Sequence, residues 1–383
     1  MGETSVRDPT DVLIVGGGPA GCAMALRLMQ NGCTPTILER SSFSTSRVGE
    51  ALLPEAEGLL KTLDVWDQFK REDFEPTSGI VSAWGSDKTA VSSFLFQPFS
   101  QGWNLDRAHF DRMLLCECAG RGCHVDRPAG PMRVSKSGTV WNVQIGSKSY
   151  QADILVDATG RSASIATRLG ATRVPGNRLM ALVGYMRTSD LDDPRLLIES
   201  APSGWWYSAG LPNDQLVVAY LTDADLIPRH VNERTDWWRH LVRRLPHTSQ
   251  RIEATSLLEP LRLVNANTSW LDESSGEGWI AIGDAAISLD PLSGNGIIRA
   301  LKTGIAAAES VVSERSDFAT SRFFGDLIHS LARESTEQSR LTHQRETRWE
   351  DQVFWQRRTS VDSEPKNCRN LHSIKSSFEN GIA

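Results

Sequence analysis

The chain has 383 residues, 40% hydrophobic and 23% charged, the balance of a globular protein with apolar matter enough for two structural domains. A formal net charge of −6 lacks the basic footprint of nucleic-acid binders. Residues 1–10 have no basic start or apolar stretch of a signal peptide, and Arg27 interrupts the run that comes nearest to a membrane span, so the expectation is a cytoplasmic protein without a membrane partner.

Residues 12–15 form a short apolar run, the mark of a strand buried on both faces. A helix is predicted from Pro19, where a missing amide proton costs nothing, through Ala20, Ala23, Met24, Ala25, Leu28 and Met29 to a stop at Asn31-Gly32. Residues 34–38 give the next strand and complete a strand–helix–strand unit. A helix over 54–66 follows, then strands over 80–84 and 91–96 with a turn at Gly85. Residues 107–120 read as a helix and 154–156 as a buried strand. Between 180 and 220, segments such as Leu216-Val-Val-Ala-Tyr220 indicate an antiparallel sheet, and 278–282 is a last buried strand before a helix over 296–312.

The predicted fold class is α/β. A Rossmann-like domain, a parallel sheet with helices, is assembled from residues 1–79, 100–175 and 270–316. A smaller antiparallel-sheet substrate domain takes 80–99 and 176–269, a C-terminal helix runs over 317–358, and 359–383 is expected to be a flexible tail.

The motifs that carry chemistry lie at the two ends of this discontinuous domain. In Gly16-Gly17-Gly18-Pro19-Ala20-Gly21, Gly16 makes the tight turn, Gly18 admits a pyrophosphate to the backbone, and Gly21 lets helix and strand pack closely. The diphosphate then sits at a helix N-terminus, where free amides and the helix dipole favour negative charge. Glu39, eighteen residues past Gly21, is placed to accept hydrogen bonds from an adenosine ribose, with Arg40 beside it along the adenine. The acid leaves NAD and FAD both open. Six cysteines show no CxxC pair or neighbouring histidine cluster, so reduced thiols and no metal site are expected.

Gly283-Asp284, with Pro291-Leu-Ser-Gly294-Asn295-Gly296-Ile297, resembles the Gly-Asp segment of FAD-dependent monooxygenases and the related tryptophan halogenases. The resemblance covers nearly the whole chain. It implies FAD as cofactor, with Asp284 on the ribityl chain and backbone amides of 291–297 near the flavin ring. It also implies that Thr159 and Gly160 close over the cofactor, and that Arg107 and the Arg47-Val48-Gly49-Glu50 stretch lie near the flavin. No second GxGxxG has the right context, so reducing equivalents are expected from transient NAD(P)H, a separate flavin reductase, or the substrate.

Halogenases of this superfamily carry a lysine that aligns near residues 77–82, and none stands there; Lys70 and Lys88 only flank the region. A narrower resemblance is to flavoproteins that mature tryptophylquinone cofactors of amine and amino-acid oxidases. It rests on residues 204–212 (Gly-Trp-Trp-Tyr-Ser-Ala-Gly-Leu-Pro), on Asp284-Ala-Ala with Asp290-Pro-Leu-Ser-Gly, and on Arg348-Trp349 with Phe354-Trp355-Gln-Arg357-Arg358. This implies oxygen insertion into a tryptophan of a partner quinoprotein precursor, with Trp205, Trp206 and Tyr207 as candidates for the pocket wall. A free or carrier-bound small aromatic is the alternative substrate, and a non-catalytic FAD-holding chaperone the alternative class. No catalytic base is assigned; His109 and His124 read as structural. The Trp/Arg-rich C-terminal helix suits a docking partner or plain solvation.

Overall fold

The computed structural model describes residues 5–6, 10–128, 130–188, 191–253, 255–313 and 320–359. The expected tail over 359–383 lies, apart from Thr359, outside them.

The largest sheet is built on the strand Thr10–Val15, which runs parallel to Thr36–Leu38 on one side and to the end of Lys148–Asp157 on the other. Thr36–Leu38 in turn pairs in parallel with His124–Asp126, and Trp279–Ala281 lies parallel to Leu155–Asp157. Val12, Leu13 and Ile14 are buried on both faces, as a continuous apolar run requires. The first half of Lys148–Asp157 instead continues antiparallel into Val140–Ile145 and Met132–Ser137.

Two helices cover one another beside this sheet. Pro19–Gln30 starts with proline at its first position, and Gly296–Ser313 buries Ile297, Leu301, Gly304, Ile305 and Ala308 at helical spacing. A Cβ on Gly304 would stand 2.4 Å from the carbonyl oxygen of Ala20, so the backbones meet where no side chain fits. This contact carries the C-terminal motif back to the N-terminal one.

The second large sheet follows the order Ser256–Leu257, Leu179–Arg187, Gln215–Asp223, Gly204–Leu211, Leu196–Ala201, Gly79–Ala83, Ala90–Ser93. It is antiparallel except where Leu196–Ala201 meets Gly79–Ala83. Its two faces pack differently. Trp205, Tyr207 and Ala209 face one core with Tyr185 and Ile198, while Trp206 faces the other with Tyr220, Trp238 and Val242. Strand alternation enforces the split.

Two predicted helices are divided. The 54–66 helix becomes Ala56–Thr62 and Trp66–Phe69, because Asp64 takes a left-handed φ of 57° between them. The single helix expected over 317–358 becomes Thr320–Gln344 and Val353–Thr359. In the intervening turn, the carboxylate of Glu346 is drawn inward by the Gly85 amide at 2.7 Å and the Ser200 hydroxyl at 2.6 Å. The Trp/Arg-rich segment that follows is used internally. Phe354 and Trp355 are fully buried on the sheet, Trp355 donates to the Ala201 carbonyl at 3.0 Å, and Arg357 and Arg358 pair with buried Asp223 at 2.7 Å.

Gly304→Ala is expected to lower unfolding stability by about 2 kcal/mol or more through overpacking against the Ala20 carbonyl. Urea denaturation of the two proteins checks this, and coincident midpoints would contradict the close-packed geometry.

Candidate functional site

The glycine-rich turn after Thr10–Val15 shows three different uses of glycine. Gly16 has φ +116°, and a Cβ there would lie 2.1 Å from the Ala158 carbonyl oxygen. A Cβ on Gly21 would lie 2.0 Å from the Gly16 oxygen. Gly18 is the opposite case: it is extended, φ −79°, and nothing lies within 4 Å of where its Cβ would be. The first two close the turn and the third leaves open space at the start of the helix Pro19–Gln30, the arrangement that suits a phosphate.

Glu39 lies buried at the end of the neighbouring strand. Its two oxygens accept the Gly17 amide at 2.7 Å and the Ser41 amide at 2.6 Å. The acid therefore fixes the turn itself, and each oxygen keeps acceptor capacity for a ribose hydroxyl. Arg40 is exposed next to it.

Asp157 stands two residues before Thr159, at the start of the segment that the resemblance implies closes over the cofactor. It is 0% exposed and accepts four hydrogen bonds, from the Thr159 amide and hydroxyl and from the Ile165 and Ala166 amides, all between 2.6 and 2.9 Å. These bonds fold the chain back over Thr159 and Gly160, which has φ +65°.

At the other end of the chain, Asp284 is surrounded by cations. Arg299 donates to it at 2.9 Å, the Arg161 side chain approaches within 3.6 Å, and Arg173 donates to its backbone carbonyl at 2.8 Å. Burial lowers the pKa of Arg161 and Arg173, and Asp284 opposes that shift in both. Asp290 also acts on Arg161 and Asp157 on Arg173, so the three guanidinium groups share three carboxylates at this end of the sheet. Next along, Asp290 accepts the Leu292 amide at 3.0 Å and the Ser339 hydroxyl at 3.1 Å, so the long C-terminal helix anchors the turn before Gly294. Gly294 takes φ +64°, Asn295 and Gly296 are exposed, and Ile297 is buried at the start of Gly296–Ser313.

Arg47 and Arg107, far apart in sequence, meet on buried Asp111. Arg47 reaches one oxygen at 2.7 Å, and Arg107 reaches the other at 3.2 Å while donating to the carbonyls of Val48 at 2.9 Å and Gly49 at 3.1 Å. Val48 itself is exposed. The helix bearing Arg107 and Asp111 is capped by Asp106, which accepts the Ala108 and His109 amides.

Glu50 follows directly and joins this stretch to the second sheet. Only 2% exposed, it accepts the Tyr185 hydroxyl at 2.7 Å on one oxygen, and the Tyr207 hydroxyl at 3.1 Å and the Gly49 amide at 2.9 Å on the other. Burial raises its pKa and the three donors only partly offset this. Burial and the adjacent carboxylate in turn push both tyrosines up.

The three aromatic candidates separate. Tyr207 lies on the face turned to Glu50, with Ala51 and Leu292 beside the same cluster. Trp205 shares that face but is fully buried, edge-on to Trp84 at 6.5 Å and covered by the C-terminal Trp355 cluster. Trp206 points away from the candidate site, stacked on Tyr220 at 4.7 Å and beside Trp238 at 5.2 Å. A three-residue wall is therefore replaced by Tyr207 alone at the junction. Alternation along Gly204–Leu211 was the signal for this. His109 pairs with Glu72 at 2.5 Å, away from Glu50 and Tyr207. Among the described residues no group of metal-ligating side chains converges, and no helix is long and apolar enough to cross a membrane.

Asp157→Ala would strand four donors and is expected to cost about 3 kcal/mol or more, read by chemical denaturation, with an unchanged midpoint contradicting its organising role. Glu50 gives a pH signature. Its folded-state pKa is raised, so its contribution to stability is full below the unfolded carboxylate value and is lost as pH rises through the folded one. The native chain should therefore lose stability relative to Glu50→Gln as pH rises from the ordinary carboxylate range. Parallel denaturation curves across pH check this, and a constant difference would contradict it.

Comparison with known proteins agrees with this geometry. The family model described as FAD binding domain matches residues 9–309. A protein described as an FAD-dependent oxidoreductase, LodB of Marinomonas mediterranea, is 31% identical over 357 residues, covering 91% of this chain and 96% of its own length. Among solved structures, the flavin-dependent halogenase CmlS superposes with a TM-score of 0.82 at 23% identity, covering 98% of this chain and 71% of its own. The peptidyl tryptophan dihydroxylase QhpG, described as essential for tryptophylquinone cofactor biogenesis, superposes with a TM-score of 0.78 at 23% identity, covering 93% and 80%. The chain belongs to the FAD-binding-domain family and is an FAD-dependent oxidoreductase of the monooxygenase and halogenase superfamily.

Proposed function

We propose that the protein is a monooxygenase that inserts oxygen into an electron-rich aromatic ring, the ring being a tryptophan side chain of a quinoprotein precursor. The observation that carries this reading is the junction at Glu50. There the stretch that also holds Arg47 and Arg107 meets an aromatic position, Tyr207, on the second sheet. The fold shared with QhpG, a peptidyl tryptophan dihydroxylase of tryptophylquinone cofactor biogenesis, supports the quinone-precursor substrate.

When bound and reduced, FAD activates dioxygen for transfer to a ring. The residues have separate tasks around it. The open space at Gly18 and the amides that begin the helix Pro19–Gln30 take the pyrophosphate, Glu39 the adenosine ribose with Arg40 beside the adenine, and Asp284 the ribityl chain. Thr159 and Gly160 close over the cofactor, and the Arg47-Val48 stretch with Arg107 flanks the flavin. The first amides of Gly296–Ser313, with Pro291, Gly294, Asn295 and Ile297 shaping their approach, face the flavin ring and favour negative charge on it. The second sheet positions the ring to be oxidised and keeps water away. Reducing equivalents come from transient NAD(P)H or a flavin reductase.

A halogenase reading has support in curated relatives such as the tryptophan 2-halogenase of Chondromyces crocatus, 24% identical over 320 residues. Against it, residues 77–83 hold no lysine, Lys70 pairs at the surface with Asp67 at 2.8 Å, and Lys88 is exposed.

Two measurements test the proposal. Gly18→Val places a side chain in open space, so it should fold with unchanged stability yet lose FAD binding by two orders of magnitude or so, roughly 3 kcal/mol. Retained FAD affinity would remove the pyrophosphate assignment. Peptide mass spectrometry of a tryptophylquinone-enzyme precursor, expressed with and without the wild-type protein, reads the reaction. Oxygen added to one tryptophan only when the protein is present is expected. A halogen in its place would establish the halogenase, and an unmodified precursor that nevertheless binds the reduced holoenzyme would remove the protein-substrate reading.

A further inference from the structure

The hydrogen bonds around Glu50 have a direction. A carboxylate only accepts, so both tyrosine hydroxyls spend their single proton on it: Tyr185 at 2.7 Å and Tyr207 at 3.1 Å. The Gly49 amide donates at 2.9 Å to the same oxygen as Tyr207. Tyr207 is thereby left with an oxygen that can accept and nothing to donate.

The two tyrosines differ in the exposure of the residue as a whole. Tyr185 is buried, whereas Tyr207 is one of only two positions of Gly204–Leu211 that keep partial exposure. Ala51 and Leu292, both partly buried, pack on the same apolar cluster as Tyr207. A ligand that reaches the Tyr207 hydroxyl meets an oxygen that asks for a donor.

We propose that the Tyr207 hydroxyl, backed by Glu50, accepts the ring N–H of an indole and so selects indole over rings that lack this donor. The inference rests on the aromatic-substrate reading and deepens it. An indole N–H donates and does not accept, which complements a hydroxyl whose proton is already committed. Donation to a carboxylate polarises the tyrosine oxygen and strengthens it as an acceptor. The same negative charge, fixed behind the hydroxyl, favours the positive charge an indole ring takes on as it loses electron density to oxygen. Tyr207 would touch the substrate; Glu50 acts through it as a positioning residue.

The test uses FAD-loaded protein in the oxidised state, with indole and 1-methylindole as probes and the flavin absorbance spectrum as the readout. The two probes differ in the donor alone. Wild-type protein is expected to bind indole about tenfold more tightly, the worth of one hydrogen bond. Tyr207→Phe should bind FAD normally and bring that ratio to about one. Glu50→Gln should lower the ratio in the same direction by releasing the Tyr207 hydroxyl. Equal binding of the two probes by wild type, an undiminished ratio in Tyr207→Phe, or no response to either probe up to its solubility would each overturn the proposal. A protein that oxygenates the precursor tryptophan but ignores the probes' N–H would lose this inference and keep the function. One that discriminates between the probes but leaves the precursor unchanged would keep the inference and lose the protein substrate.

Discussion

Two helices from opposite ends of the chain lie backbone to backbone where Gly304 meets Ala20, and the cofactor site depends on that approach. The glycine-rich turn at 16–21 and the Asp284 segment are separated by more than two hundred and fifty residues. They come together because Gly304 has no side chain, and because Gly283, at φ +58°, would place a Cβ only 2.7 Å from the Ala20 methyl carbon. Packing at this density leaves little room for compromise, so small residues here are conditions of the fold rather than accidents of composition.

Around this frame the charged groups are buried in matched sets. Asp157 gathers four donors, Asp111 holds Arg47 and Arg107, and Asp223 holds Arg357 and Arg358. Each removes a charge from water and compensates it with several hydrogen bonds, which fixes geometry more than it adds stability. The Asp284 neighbourhood is a larger set of the same kind, with Arg161, Arg173 and Arg299 among Asp284, Asp290 and Asp157. Glu50 is the departure: a carboxylate whose donors include two tyrosines of the second sheet, so that sheet and the stretch over 47–50 share one charge.

Much of this was legible in the residues. The buried strand, the Gly16–Gly21 turn, the helix from Pro19 and the late strand and helix follow from local rules of periodicity and backbone freedom, and they suffice to indicate a dinucleotide; FAD was implied by the resemblance of the segment over 283–297. Side-chain partnership across the sheets was not legible. The aromatic run at 205–207 read as one wall because adjacency in sequence was taken for adjacency in space, whereas a strand sends Trp206 to the opposite face. Asp157 and Asp111 stand in the segments of Thr159 and Arg107, but their importance lies in donors that come together only after folding. The C-terminal Trp/Arg segment looked equally suited to a partner or to solvent, and its composition gave no sign that the sheet beneath Trp84 and Trp205 would take it up.

The most direct test of the account is the crystal structure of the protein reconstituted with FAD. The account predicts an extended cofactor, with its pyrophosphate against Gly18 and the first turn of Pro19–Gln30, its ribityl chain at Asp284, and its ring between residues 291–297 and the Glu50–Tyr207 junction. A flavin seated elsewhere, or a ring separated from Tyr207 by a layer of protein, would contradict it.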